Sequence, residues 1–208
     1  NLAVDGNYGQ CMDPATGNIW GTTGTKVHMW DESTGTHSIL KDFGGIGEMA
    51  RTSCWDSTRS QLFTIGFGNG RDPDGTKTFY AWKISSDGQT RTAITLSGGA
   101  AAQYLNSAPY SQGLEYDSVN DVFYSYAGGN GATGVVDSAK DIYVITPSSG
   151  GTWGCELLVH GGGSITPVVS CSAGVHNRFR YVPALAGIVY IAFNTSNTSP
   201  DVYFMRTS

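Results

Sequence analysis

Charge is scarce in this chain. Only 14% of its 208 residues are charged, against roughly 25% in an ordinary soluble domain. The chain has twelve Lys and Arg residues and seventeen Asp and Glu residues, which gives a formal net charge of −5. The basic residues are scattered, with no run that would neutralise phosphates, which argues against a nucleic-acid partner. The same composition argues against a coiled coil or a long helical protein.

Long apolar runs are also missing. The longest near-continuous one, residues 188–193, is far shorter than the roughly 20 residues that span a bilayer, so no membrane span is expected. No secretory signal is visible, and the chain starts at Asn1 rather than methionine. We therefore expect a processed mature chain or a piece of a longer one.

Catalytic and metal-binding signatures are absent as well. The sequence has no GxSxG, HExxH or CxxC motif, and its glycine-rich stretches 66–70 and 128–131 lack the strand-to-helix setting of dinucleotide binding. No cofactor is expected. The one candidate for Ca²⁺ is the pair Asp72 and Asp74 on a turn, for which a solvated turn is the competing interpretation.

Glycine and apolar residues are present in quantity. The chain holds 29 glycines, and 39% hydrophobic with 12% aromatic residues supply a core, which argues against disorder. No segment keeps a 3.6-residue apolar period over three turns. The predicted class is therefore all-β.

A turn pattern occurs four times, in residues 11–20, 54–63, 115–124 and 180–189. In each stretch Asp or Val is followed by Pro or Ser, and an apolar residue comes six positions on. Asp hydrogen-bonds to its own following backbone and Pro presets the turn dihedral, so each stretch predicts two strands joined by a short turn. Aromatic, β-branched segments follow at 26–31, 78–84, 141–146 and 201–206, and further ones at 36–40, 89–96 and 152–159.

These segments predict four repeats of four antiparallel strands, covering approximately residues 5–40, 48–96, 111–159 and 177–208 of one domain. The third repeat resembles a kelch-type β-propeller blade. It has an apolar strand at 122–127, the doublet Gly128-Gly129, then Tyr143 and Trp153. The other repeats keep the turns and the aromatic strands but have no clean doublet. The resemblance implies a propeller-like ring of four-stranded blades, and it implies no activity.

The fourth repeat stops one strand short. Residues 2–4 are a short apolar segment that would complete the last blade and close the ring. The alternative is that the chain is a fragment of a larger ring, in which case we expect self-association.

In such a repeat the long, irregular connections all leave from one end of the blades, and we take this long-loop face as the binding face. Its candidate ligand-binding residues are Phe67, Tyr104, Tyr110, His160, His176 and Arg178. The three aromatic rings suit stacking on saccharides, or they fix their own loops to the scaffold. Trp30, Trp82, Tyr143 and Tyr203 recur at one strand position and are assigned to packing.

The four cysteines suit an oxidising compartment. Cys155 and Cys171 bracket a glycine-rich connection, and Cys11 and Cys54 occupy equivalent repeat positions. The predicted disulfides are Cys155–Cys171 and Cys11–Cys54.

The sequence favours a secreted or surface-displayed recognition module, on a virion or a bacterial exterior, that binds a glycan or a protein. An enzyme is the less favoured hypothesis. It would be a polysaccharide lyase or hydrolase in which His176, Arg178 and Tyr181 move a proton and neutralise a carboxylate. A structural or assembly protein is the third alternative.

Overall fold

The computed structural model of the chain describes residues 9–44, 52–67, 79–107, 112–126, 141–158, 175, 178–192 and 201–207. The chain divides into two compact units, Asn1–Thr95 and Leu96–Ser208. Almost all described secondary structure consists of antiparallel strands arranged in four sheets, which confirms the predicted all-β class. No helix in these ranges is long and apolar enough to cross a membrane.

The first unit contains two four-stranded sheets in which hydrogen-bonded neighbours are consecutive in sequence. Sheet A consists of β1 Gln10–Met12, β2 Ile19–Thr23, β3 Lys26–Asp31 and β4 Thr36–Asp42. Sheet B consists of β5 Thr52–Asp56, β6 Gln61–Phe67, β7 Phe79–Ile84 and β8 Arg91–Ala93.

The second unit contains a five-stranded sheet and a three-stranded sheet. Sheet C consists of β10 Gly113–Asp117, β11 Val122–Tyr126, β12 Ile142–Thr146 and β13 Thr152–Leu157, with β9 Thr95–Ser97 added beside β13. Sheet D consists of β14 Phe179–Val182, β15 Gly187–Ala192 and β16 Asp201–Arg206. One helix, α1 Ala101–Ser107, precedes β10.

A buried aspartate holds the first turn of sheets A, B and C, as the repeat predicts. The three carboxylates accept backbone N–H bonds of 2.9–3.0 Å from residues two or three positions on, namely Asp13 from Ala15, Asp56 from Arg59 and Asp117 from Val119. Sheet D has no aspartate here. Its turn is a 3₁₀ segment, Pro183–Leu185, which ends at Ala186 with φ +45°.

The first strands of the two sheets in each unit lie side by side. β1 contacts β5, and β10 contacts β14. The approach is close enough that an added Cβ at Gly9 would meet the backbone of Thr52 and Ser53, and one at Gly113 would meet Phe179. Glycine at these two positions therefore permits the sheets to pack through their first strands.

Aromatic side chains fill the space between the paired sheets. Trp20 and Trp55 stack with ring centres 5.0 Å apart between sheets A and B. Between sheets C and D, the ring of Tyr126 lies 5.9 Å from Phe179 and 4.8 Å from Tyr190.

The aromatic residues assigned to packing divide into two groups. Trp82 and Tyr143 are buried, as predicted, whereas Trp30 and Tyr203 are half-buried.

Two segments differ from the sequence prediction. The strand predicted over 89–96 splits into β8 and β9, because Ile94 is buried between them and its N–H donates to the carbonyl of Ala81 at 2.8 Å. The loop predicted over 97–111 contains α1, whose Ala-Ala start has high helix propensity. The first difference therefore arises from a tertiary contact, and the second from local helix propensity.

Neither predicted disulfide is formed among the described residues. Cys11 pairs with Trp20 in register and packs towards sheet B. Trp55 packs towards sheet A, so Cys54, one residue earlier, points to the opposite face of sheet B. The side chain of Cys11 is directed towards sheet B, whereas that of Cys54 lies on the face of sheet B that is turned away from sheet A. The two sulfurs therefore do not meet.

Cys155 is a fully buried thiol opposite Ile145, and burial, followed by the charge of Glu156, raises its pKa to about 12. Such a thiol is unreactive at neutral pH. Its predicted partner, Cys171, lies outside the described residues.

Candidate functional site

Most of the predicted ligand-binding and metal-binding residues lie outside the described residues. They are Tyr110, His160, His176, Asp72 and Asp74, together with the side chain of Phe67. Their predicted roles remain predictions.

Tyr104 is not an exposed ring. Its side chain is fully buried on α1, and its hydroxyl lies 2.8 Å from Ser125 Oγ and 3.4 Å from Gln112 Nε2. Its ring centre is 4.8 Å from that of Tyr143. The prediction that Tyr104 stacks on a ligand is therefore corrected, and the alternative, that it fixes its own segment to the scaffold, agrees with its position.

Arg178 and Tyr181 lie at opposite ends of β14. Arg178 donates through Nε to the carbonyl oxygen of Val175 at 3.1 Å, beside the long-loop end. Tyr181 lies near the short-turn end, 5.9 Å from the ring of Tyr124, and interacts with Asp117. Three residues along a strand are about 10 Å apart and face opposite sides of the sheet. These two members of the proposed catalytic trio are therefore not brought together.

Arg91 lies against two aromatic rings at the margin of the first unit. Its Cζ is 4.3 Å from the ring centre of Trp82 and 4.9 Å from that of Phe43, and Tyr80 stacks on Trp82 at 4.8 Å. Phe43, Tyr80 and Arg91 are half-buried, so ring and guanidinium surface remain open to solvent. We call these four residues the Arg91 cluster.

The strand register explains how the cluster forms. Arg91 is directly opposite Ile84, so it shares a sheet face with Ile84 and with Trp82 two residues earlier. Phe43 follows β4 and is held there because its N–H donates to the carbonyl of Thr25 at 3.0 Å. Phe43 follows the end of β4 and Tyr80 lies near the start of β7, whereas Arg91 follows the short turn between β7 and β8. The cluster therefore lies beside the core between sheets A and B rather than on the long-loop face.

Among the described residues, the charge of Arg91 has no anionic partner. The ion pairs seen in the described part of the chain are Arg59–Asp56 and Arg180–Glu115, and Nη1 of Arg91 is buried without a hydrogen-bond partner. Burial lowers the pKa of the guanidinium, while Tyr80 opposes that shift. Partial burial of a cation carries a free-energy cost, of which the aromatic faces offset about 1–2 kcal/mol. An anionic group bound here would supply the missing partner.

Sequence reasoning missed this cluster because it assigned Trp82 to packing and Arg91 to an ordinary outer strand. One available signal is the hairpin register. A turn over residues 85–90 places residue 91 opposite residue 84, so an arginine at 91 falls beside the ring at 82. Phe43 is far away in sequence, and only the fold brings it in.

A second polar contact joins the first strands of sheets C and D. Arg180 Nη1 lies 2.6 Å from Glu115 Oε1, and the Glu115 side chain is only 17% exposed. Burial raises the pKa of Glu115 to about 6, against the opposing effects of Arg180. The ion pair therefore combines an unfavourable free energy of desolvation with a favourable electrostatic attraction.

The raised pKa predicts a pH dependence. Because the pKa of Glu115 in the folded state lies above its ordinary value of 4.5, the protonated carboxyl stabilises the folded state fully below pH 4.5. This stabilisation is lost as the pH rises through about 6. Over this window we expect the free energy of unfolding of the parent protein to fall by about 2 kcal/mol from this group. Glu115→Gln should not show this fall. Urea denaturation of both proteins at several pH values between about 4 and 7 measures the difference. Equal pH slopes for both proteins would contradict the assignment.

No three His, Cys, Asp or Glu side chains in the described ranges cluster as a metal site. The Arg91 cluster, with its aromatic rings and its guanidinium, suits an organic anion.

At the level of sequence, no protein-family model and no curated protein matches this chain. Its fold is similar to solved structures. A chain in the crystal structure of a nidogen/laminin complex aligns with a TM-score of 0.50 at 12% identity, covering 97% of this chain and 65% of that one. An oligogalacturonate lyase in complex with manganese aligns with a TM-score of 0.53 at 10% identity, covering 96% of this chain and 50% of that one.

Both neighbours are propeller-type folds, and neither similarity identifies a kelch family. This chain spans about two thirds of the length of the first and half the length of the second. At these identities the likeness concerns the fold alone.

Proposed function

We propose that this chain is a propeller-type recognition module on a cell or virion exterior, and that it binds glycans carrying carboxylates through the Arg91 cluster. The observation that carries the proposal is a guanidinium that contacts two aromatic rings and has no anionic partner in the part of the chain that the structure describes. Sugar rings have apolar faces that stack on aromatic side chains. A sugar carboxylate makes charge-assisted hydrogen bonds with arginine.

The scaffold suits this role. The turn between β7 and β8 is fixed to β4 because Gln89 Nε2 donates to the carbonyl of Leu40 at 2.9 Å, and Gly88 approaches the Leu40 side chain closely. The two walls of the cluster are thus held together by contacts outside it. A pre-positioned site loses less side-chain entropy when it binds. Within each unit, two meandering sheets in contact through their first strands also support the proposed kelch-like ring.

Binding to immobilised polygalacturonate tests the proposal, with the fully methyl-esterified polymer as the neutral counterpart. We expect retention on the acidic polymer and weaker retention on the ester. Arg91→Gln and Tyr80→Ala should each weaken binding about tenfold, equivalent to about 1.4 kcal/mol. Phe204→Ala, an exposed aromatic on sheet D that is 48% accessible, is the matched control and should bind as the parent protein does.

Thermal unfolding of each variant separates lost binding from lost folding. Equal retention of both polymers, or unchanged binding by both cluster variants, would contradict the proposal. The same incubations are followed by absorbance, because unsaturated sugar products would instead establish the lyase hypothesis.

A further inference from the structure

Two histidines on neighbouring strands of sheet A share a short contact. His28 Nδ1 lies 3.0 Å from His37 Nε2, and the two rings are nearly parallel, with 6° between their planes. His28 is 9% exposed, whereas His37 stands on the solvent side of β4. The other nitrogen of His28, Nε2, lies 2.6 Å from Thr23 Oγ1. None of these residues belongs to the Arg91 cluster.

We propose that His28 and His37 form a two-histidine binding site for a divalent transition-metal ion of the Cu²⁺, Ni²⁺ or Zn²⁺ type. Two imidazole nitrogens that bind one ion at about 2.0–2.1 Å in adjacent positions lie roughly 2.9–3.4 Å apart. The observed 3.0 Å falls in this range. Imidazole is a ligand that these ions prefer, whereas Mg²⁺ and Ca²⁺ prefer oxygen. Water completes the coordination on the exposed side.

Thr23 acts as a positioning residue. When Nε2–H of His28 donates to the Thr23 hydroxyl, the lone pair of His28 is on Nδ1, the atom that faces His37. A hydrogen bond of this kind fixes the tautomer and the ring orientation of a metal-binding histidine.

Binding of an ion requires a change of tautomer at the exposed His37. In the hydrogen-bonded pair, His37 donates its Nε2–H to Nδ1 of His28. On binding, His37 carries its proton on Nδ1 instead, which frees Nε2 for the ion without net proton release. A buried, fixed ligand and an exposed, rotatable one therefore complement each other. Lys26, two residues before His28 on β3, opposes binding by its charge.

Titration calorimetry of the full chain with CuCl₂, NiCl₂ and ZnCl₂, and with MgCl₂ as the negative control, tests the site. We expect binding of about one transition ion per chain, strongest for Cu²⁺, and no heat with Mg²⁺. His37→Gln should weaken Cu²⁺ binding at least tenfold, and because His37 is exposed the variant should fold normally. Electron paramagnetic resonance of the Cu²⁺ complex should show coupling to two imidazole nitrogens in the parent and one in the variant.

Further variants separate this pair from other ligands. His160→Gln with His176→Gln removes the other two histidines and should leave binding unchanged, while Thr23→Val should weaken it severalfold. The proposal is wrong if the parent chain binds none of the three ions, or if His37→Gln binds Cu²⁺ as tightly as the parent.

Discussion

Replacing Asp117 with alanine is expected to lower the free energy of unfolding of the second unit by about 3 kcal/mol. Its carboxylate is fully buried and accepts hydrogen bonds from the N–H groups of Val119 and Asn120, at 2.9 and 3.2 Å, and from Asn120 Nδ2 at 2.6 Å. Alanine would remove the charged acceptor of these three bonds and leave a gap where the carboxylate is packed, and hydrogen bonds to charged groups contribute more than neutral ones. The midpoint and slope of a urea denaturation curve measure the change.

Asp31 provides the matched control. It holds the turn between β3 and β4 through the same kind of bond, from Ser33 N at 2.9 Å and Thr34 N at 3.3 Å, but in a solvent-accessible position. Water replaces the lost acceptor there, so Asp31→Ala should shift the midpoint far less. Equal shifts for the two variants would show that local turn propensity, rather than burial, accounts for the effect.

Replacing Gly113 with alanine is expected to destabilise the packing of sheet C against sheet D by about 2–3 kcal/mol. The added Cβ would lie 2.6 Å from Phe179 Cβ and 2.7 Å from its Cγ. Contacts this short require the first strands of the two sheets to move apart. Because Phe179 is fully buried, its ring has no solvent side into which to shift. Chemical denaturation measures the loss, and near-ultraviolet circular dichroism reports the altered ring packing.

Gly150 is the control for this second variant. It lies in the turn between β12 and β13, and an added Cβ there meets Ser148 Oγ at an ordinary 3.8 Å. Gly150→Ala should change stability by no more than about 0.5 kcal/mol. If Gly113→Ala were equally mild, the first strands would not be in close contact.

The turns were predictable because their chemistry is local. An Asp followed by Pro or Ser bonds to backbone only two or three residues away, and the structure has those bonds at Asp13, Asp56 and Asp117. The all-β class and the sequential order of the strands were predicted from the same short-range pattern.

The side-chain environments were not predictable, because they depend on contacts between distant segments. Tyr104 lies in a stretch that reads as a glycine-rich loop, yet its burial is decided by Ser125 and Tyr143. The predicted disulfide Cys11–Cys54 was wrong for a related reason. Equivalent repeat positions suggest proximity, but the alternation of side chains along a strand decides which face each sulfur occupies.

The meander order of the strands has a consequence for how the chain folds. In each sheet, most hydrogen-bonded partners are also neighbours in sequence, so pairing two strands requires closing only the one connection between them. Chains rich in such local contacts pass their folding barrier faster than those that must first pair distant strands. We expect each sheet to assemble independently. Within each unit, the packing of the two first strands against each other is then the later event. The glycines at 9 and 113 then control the last step of folding rather than the first.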